Sequence, residues 1–288
     1  MRLTTQEKNS IREALAAYVA KFKSQNKAAS SLSGTSAGTI SSIINGKYEN
    51  ISDDMFRMIG SQVGYIAGNR WTIVETGAFQ EIMYALDDAQ TYKNCTWVVG
   101  EAGCGKTTTA QAYAEDNREV FYILCSEDMK KGDFVREIAR KIGLKTDGHN
   151  IREIWSLILE DVIQMDAPLL IFDEADKLTE PVFHYFISLY NKLEDKAGVV
   201  FLSTDYICSR IRRGLQYNKP GYKEFYSRIG RKFFELDQTE AIDVHKICMA
   251  NGITDEKGIA TVIQEAEKFD FDLRRVKKTI HRIKRTKE

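Results

Sequence analysis

The sequence has few prolines, no long apolar run, no paired cysteines and no net charge. Three prolines in 288 residues, without repeats or low-complexity stretches, exclude a proline-rich or fibrous chain. No apolar run approaches the roughly 18 residues of a membrane span. The start, Met1-Arg2-Leu3-Thr4-Thr5-Gln6, turns polar at once and lacks the apolar core of a secretory leader. The five cysteines (Cys95, Cys104, Cys125, Cys208, Cys248) form no CxxC pair, which argues against a zinc site or a disulfide frame. The expectation is a reduced, cytoplasmic protein without a membrane partner.

What is present is ordinary in bulk and uneven in detail. Hydrophobic residues make up 43% and charged residues 28%, and the length suffices for about two domains. Residues 1–50 carry seven Lys/Arg against three Asp/Glu, and residues 271–288 carry eight against two. Two basic ends around an acidic body fit contact with a polyanion, or else solvated helix faces.

Apolar positions at three- and four-residue steps (Ile11, Leu15, Tyr18, Val19, Phe22) predict an amphipathic helix over residues 7–22. Further helices are predicted at 26–32, at 37–44 with Ser36 as cap, and from 53 to 63 with Ser52 as cap. Gly34 turns the chain between the second and third. This is a helix-turn-helix layout, a small all-α domain over residues 1–63. The pattern lapses over 64–76, the predicted linker. A helix is then predicted at 74–89, followed by strands at 97–100, 120–124, 169–173, 199–203 and 232–236. Helices at 106–116, 131–142, 150–165 and 180–194 alternate with them. Such alternation predicts an α/β core with a mostly parallel sheet over residues 77–238. Residues 239–288 show three helical segments and no strand, a C-terminal helical lid.

Two motifs carry the chemistry. Gly100-Glu101-Ala102-Gly103-Cys104-Gly105-Lys106-Thr107 fits G-x-x-x-x-G-K-[ST] between a predicted strand and a predicted helix. Backbone that wraps a triphosphate has little room for Cβ atoms, hence Gly100, Gly103 and Gly105. Amides of the loop and of the helix start, including those of Cys104 and Thr108, face the phosphates. Lys106 supplies charge to the β- and γ-phosphates, and the Thr107 hydroxyl can ligate Mg²⁺. The ligand implied is ATP with Mg²⁺. The second motif, Leu169-Leu170-Ile171-Phe172-Asp173-Glu174, reads as a buried strand ending in two carboxylates. Asp173 would hold the metal through water, and Glu174 would orient and deprotonate the attacking water. Ser203 or Thr204, closing another apolar strand, could bond that water or the γ-phosphate, or simply cap the strand.

The order of phosphate loop, Asp-Glu strand, hydroxyl-ended strand and two later arginines resembles an AAA+ ATPase. Gly38-Thr39-Ile40-Ser41-Ser42-Ile43-Ile44-Asn45-Gly46-Lys47-Tyr48, Val74-Glu75-Thr76, Asp173-Glu174-Ala175-Asp176, Phe225-Tyr226-Ser227-Arg228-Ile229 and Leu273-Arg274 narrow this. They are similar to the transposon target-selection branch of that family. The resemblance implies that Arg228 is a finger reaching a neighbouring subunit's γ-phosphate and that Arg274 is a second sensor in the lid. It further implies a self-associating ATP hydrolase, encoded by a bacterium, phage or transposon, that binds double-stranded DNA for a transposase.

Residues at the start of the second motif helix would face the DNA: Thr35, Ser36, Gly38, Thr39 and Ser42, with Lys47 and Tyr48 placed for phosphates. They are small and hydroxylic and offer no bidentate base reader, which favours loosely selective binding. Lys130, Lys131, Lys177, Arg210, Arg212 and Arg213 are further candidates in the core. Two other readings stay open: a replicative helicase loader, and an ATP-gated transcriptional regulator. An RNA helicase is excluded, because its two tandem ATPase domains exceed the length left after the first sixty residues.

Overall fold

The computed structural model describes residues 3–65 and 71–287. Part of the expected linker, residues 66–70, lies outside the described residues.

Four helices open the chain: α1 (Thr5–Val19), α2 (Gln25–Ser31), α3 (Ala37–Ile44) and α4 (Asp53–Gln62). Each begins at a hydroxyl cap. Thr4 accepts from Glu7 N, Ser24 from Lys27 N, Ser36 from Thr39 N and Ser52 from Met55 N. A side-chain oxygen there satisfies an amide that the helix cannot, so four short helices start where hydroxyls stand. Ile11, Leu15, Ile40, Ile43, Phe56 and Ile59 meet in their common core. The turn between α2 and α3 passes through Gly34 at φ +67°.

After residues 66–70 the chain runs without regular structure from 71 to 76, and Trp71 and Val74 pack against the C-terminal helices. Then follow α5 (Gly77–Tyr92), β1 (Cys95–Val99), α6 (Lys106–Asp116), β2 (Val120–Leu124), α7 (Lys131–Ile142), α8 (Ile151–Ile163) and β3 (Leu169–Asp173). A 3-10 turn, Ala175–Lys177, leads to α9 (Glu180–Leu193), β4 (Gly198–Ser203), α10 (Tyr206–Gln216), α11 (Tyr222–Arg228) and β5 (Phe234–Glu235). Three helices close the chain: α12 (Ala241–Ala250), α13 (Glu256–Glu267) and α14 (Leu273–Lys287).

The five strands form one parallel sheet in the order β2-β3-β4-β1-β5. Side chains alternate between its faces. Trp97, Val99, Leu170, Phe172, Val199 and Phe201 turn toward α7–α11. Val98, Leu169, Ile171, Val200 and Leu202 turn toward α5 and α6. Burial on both faces explains why these strands read as continuous apolar runs. The chain leaves β1 by α6 toward the β2 edge, and leaves β4 by α10 and α11 toward the β5 edge. These connections lie on opposite faces, so a crevice opens at the carboxyl ends of β1 and β4, where open α/β sheets place ligands. The lid, α12–α14, has its own core of Val244, Ile247, Val262, Val276 and Ile280.

Four elements depart from the sequence expectation. The helix expected at 74–89 starts three residues later, because Thr76 caps it and Val74 is drawn into the lid core instead. The last strand shrinks to Phe234–Glu235, paired only with Val98 and Val99. Two helices, α10 and α11, occupy residues that the sequence pattern leaves unassigned.

Gly198 begins β4 against the carbonyl of Ala89 at the end of α5, and a Cβ there would collide with that backbone. Gly198→Ala is expected to lower stability by about 1–3 kcal/mol, an overpacking cost, read as a drop in the urea midpoint.

Candidate nucleotide site

The loop of residues 100–105 leaves β1 at its carboxyl end and runs into α6. Gly103 (φ +87°) and Gly105 (φ +102°) hold left-handed backbone that a side chain would strain. Gly100 serves differently: a Cβ there would press into Leu236 at 2.7 Å, so packing excludes a side chain. Among the described residues, α6 begins with no side-chain cap, which leaves its first amides to a ligand. Lys106 Nζ donates to the carbonyls of Gly100 and Glu101, each at 2.7 Å, and lies 3.6 Å from Cys104 Sγ. A polyphosphate in the loop would compete for that ammonium. The amide of Thr108 follows within the same first turn.

Asp173 sits at the carboxyl end of β3 with only 1% of its surface exposed. Its Oδ2 accepts from Thr107 Oγ1 and from Tyr122 Oη, both at 2.7 Å, and its Oδ1 accepts from the Glu174 amide at 2.9 Å. Burial above all, and then the Asp173 carboxylate, push the Tyr122 phenol upward, so it remains a donor. Burial likewise pushes the Cys125 thiol up, with Asp173 adding to it, which leaves that cysteine inert. One carboxylate beside one hydroxyl is a hard-oxygen donor set that suits Mg²⁺ completed by phosphate oxygens. Among the described residues no cluster of three or more His, Cys, Asp or Glu could hold an ion alone.

Glu174 follows in left-handed backbone (φ +53°) and pairs with Lys177 Nζ at 2.5 Å. Lys177 is thus engaged beside the site. Thr204 Oγ1 donates to Asp176 Oδ2 at 2.9 Å. Ser203 is buried, accepts from the Trp97 indole at 2.7 Å and donates to the Thr204 carbonyl, so it cannot touch a water at the γ-phosphate. Of the two hydroxyls expected there, only Thr204 lies free of the core.

The lid touches the loop directly. The Leu273 amide donates to the Gly103 carbonyl at 3.1 Å. Asp272 caps the start of α14 by accepting from Arg274 N at 2.7 Å, and its carboxylate covers Gly103. Arg274 is exposed in the first turn of α14, one residue beyond the loop contact. Arg275 is held within the lid, paired with Glu265 and stacked 4.5 Å over Phe269.

Arg228 lies elsewhere. Its Nε donates to Asn191 Oδ1 at 2.9 Å, and its guanidinium stands over the Tyr190 ring. It lines a cleft with Asn94, Cys95 and Thr96, at the amino end of β1. The phosphate loop leaves the other end of the same strand, about 13 Å away at ~3.3 Å per residue.

The basic candidates divide. Lys130 and Lys131 at the start of α7, and Arg212 and Arg213 on α10, are exposed on helices that cover one face of the sheet. Lys47 is exposed as well, and Thr39 and Ser42 are half-buried on α3. Ser36 spends its hydroxyl on the α3 cap and on Thr39 Oγ1, while Thr35 Oγ1 leans to the Ser33 carbonyl. Two expectations need correction. Tyr48 donates to Asn9 and packs edge-on against Phe56, so its hydroxyl is not placed for a phosphate. Arg210 donates to the carbonyls of Asp176 and Leu178 and lies over Phe183, a structural brace rather than a surface cation.

Sequence reasoning missed Tyr122, Asp272 and the Lys177 pairing. Tyr122 had a usable signal. It shares a sheet face with Asp173 and sits diagonally across the β2–β3 pair, within reach of a long aromatic side chain.

Comparison with known proteins bears on the fold that carries this site. Residues 89–210 match the family described as an AAA domain. Over that stretch the chain is similar to an AAA domain. Over 251 residues the chain is 26% identical to the ATP-dependent target DNA activator B of Escherichia phage Mu, covering 82% of this chain and 76% of that protein. It is 25% identical to the protein of the same name from Escherichia phage D108, with the same coverage. The resemblance to the target-selection branch of the AAA+ ATPases thus extends over most of the chain. Among solved structures, the Aeropyrum pernix ORC1 protein in complex with DNA matches with a TM-score of 0.53 at 14% identity. That match covers 73% of this chain and 60% of that one, and it bears on the fold alone. The five-stranded parallel sheet with its flanking helices is thus an AAA+-like fold.

Gly103→Ala combines left-handed backbone with a collision against Asp272. A strain of about 1–3 kcal/mol confined to the loop is expected to weaken nucleotide binding about tenfold or more. Titration with a fluorescent nucleotide measures it, and the melting temperature should move by only a few degrees.

Proposed function

We propose that this chain is an ATP hydrolase that binds double-stranded DNA with little sequence preference, assembles on it as a homo-oligomer and delivers it to a transposase. One observation carries the reading: Arg228 stands at the opposite end of β1 from the phosphate loop, so it cannot serve its own nucleotide. A nucleotide in the loop gains its arginine only from a second copy, and ATP then holds the copies together. The names of the two phage relatives support ATP dependence and target DNA.

The residues take their roles from chemistry and position. The loop amides and Lys106 bind the phosphates. Thr107 and, through water, Asp173 would hold Mg²⁺, which supplies neutralisation of the phosphate charge. Glu174 takes a proton from the attacking water once Lys177 releases it. Thr204, fixed by Asp176, orients that water. Arg274 senses the γ-phosphate from the lid, and Arg228 completes the neighbour's site. Hydrolysis removes the γ-phosphate that the arginines hold and so loosens the assembly.

DNA contact falls to the first helical domain, residues 1–63, through Thr35, Ser36, Thr39, Ser42 and Lys47. Lys130, Lys131, Arg212 and Arg213 add phosphate contacts from the core. Contacts of this kind lose affinity steeply with salt and read little sequence. A footprint confined to one unique DNA site would instead favour the transcriptional regulator, and capture of a replicative helicase rather than a transposase would favour the loader.

Arg228→Ala is expected to leave nucleotide binding intact and to lower DNA-stimulated turnover about a thousandfold, as removal of an arginine finger does. Equal turnover in variant and wild type would remove the finger. Glu174→Gln should keep ATP and accumulate DNA-bound assemblies that wild type dissolves within minutes, as seen by electron microscopy with and without duplex.

A further inference from the structure

The Asp173 carboxylate receives a third hydrogen bond from outside both motifs. We propose that Tyr122 is a positioning residue for the magnesium–nucleotide site, its phenol fixing the Asp173 carboxylate against the phosphate-loop helix; this rests on the nucleotide reading given above. Three donors reach the carboxylate: Thr107 Oγ1 and Tyr122 Oη on Oδ2 at 2.7 Å each, and the Glu174 amide on Oδ1 at 2.9 Å. Their duties differ. The Glu174 amide belongs to the adjoining residue and fixes only the start of the turn. Thr107 has a second task, because its oxygen must offer a lone pair to the metal. Tyr122 has none. A carboxylate oxygen accepts, so the phenol donates, and its ring is anchored in the sheet layer formed with Ile171, Leu169 and Tyr113. Lys141 Nζ stands 5.9 Å over the same ring, and Tyr122 pairs with Ile171 in the β2–β3 register. The hydroxyl is therefore delivered by β2, an element that carries no other part of the site. It sets which lone pairs of Asp173 face the loop, whatever Thr107 does.

Tyr122→Phe keeps the ring and removes one hydrogen bond. Nucleotide binding is measured by fluorescence while Mg²⁺ is titrated, and again in EDTA. The expected result is an Mg²⁺ midpoint about tenfold higher, the usual loss when an outer-shell partner of a metal site is removed, with unchanged affinity in EDTA. A merely structural tyrosine would lower the melting temperature equally with and without Mg²⁺ and leave the midpoint where it was; that result overturns the proposal. Lys106→Ala separates the two readings. If it leaves nucleotide affinity unchanged, the site itself is misassigned. If it abolishes binding while Tyr122→Phe leaves the Mg²⁺ midpoint unmoved, only the role of Tyr122 falls.

Discussion

A carboxylate closed off from water at the end of an apolar strand constrains everything around it. Leu169, Leu170, Ile171 and Phe172 are fully buried, and Asp173 follows them into the same environment. An ionised group there is costly unless every lone pair that matters finds a donor. The donors come from the helix after the phosphate loop, from the neighbouring strand and from the turn that follows. The register of β2 on β3, the start of α6 and the Asp-Glu turn therefore satisfy one requirement together. A shift in any of them would strand the charge. This is why the sheet and the site are not separable parts of the molecule.

The lid is bound to this centre by a second, weaker constraint. Asp270 (φ +50°) and Phe271 (φ +56°) are consecutive left-handed residues without the freedom of glycine, and each costs about 1–2 kcal/mol. The turn is held because Phe271 packs into the lid core and its amide bonds the Ala266 carbonyl at 2.9 Å. The result is that α14 starts against Gly103 rather than in solvent. The segment 71–76 is tied to the same lid, where Asn251 receives the Thr72 amide and returns a bond to its carbonyl, both at 3.0 Å. Residues 71–76 thus reach α5 alongside the lid.

Much of this was legible in the sequence, because much of it is local. The phosphate loop, the Asp-Glu strand and the hydroxyl caps Ser36 and Ser52 depend on neighbours a few residues away, and spacing exposes them. What stayed hidden depends on pairing across distance. Tyr122 and Asp173 are 51 residues apart, and only the strand register brings them together. Arg210 looked like a surface cation until two carbonyls of another loop claimed it. The pattern of α10 was readable in Ile207 and Ile211, four apart and buried, but the run of arginines between and after them obscured it. The position of Arg228 relative to the loop is the clearest case. Its motif could be quoted from sequence, whereas its place at the far end of β1 follows only from the sheet.

That same logic of distance joins the first helices to the nucleotide loop. Helix α6 begins at Lys106 and ends at Asp116, a rigid rod of about 16 Å at ~1.5 Å per residue. At its far end the Ala114 carbonyl accepts from Lys21 Nζ at 2.9 Å, a cation placed where a helix carboxyl end favours one. Lys27 pairs with Asp161 on α8, and Arg140 on α7 donates to the Ser31 carbonyl at 3.0 Å. The helical unit is therefore seated on three helices of the core, and one of them starts in the phosphate loop. Whatever displaces the start of α6 displaces part of that seat. Lys21, buried enough for desolvation to lower its pKa despite Glu115 and Asp116 nearby, belongs to this joint rather than to a surface free for phosphates. The excess of basic residues in the first fifty thus does two kinds of work: Lys21 and Lys27 fasten the unit to the core, and Lys47 faces solvent.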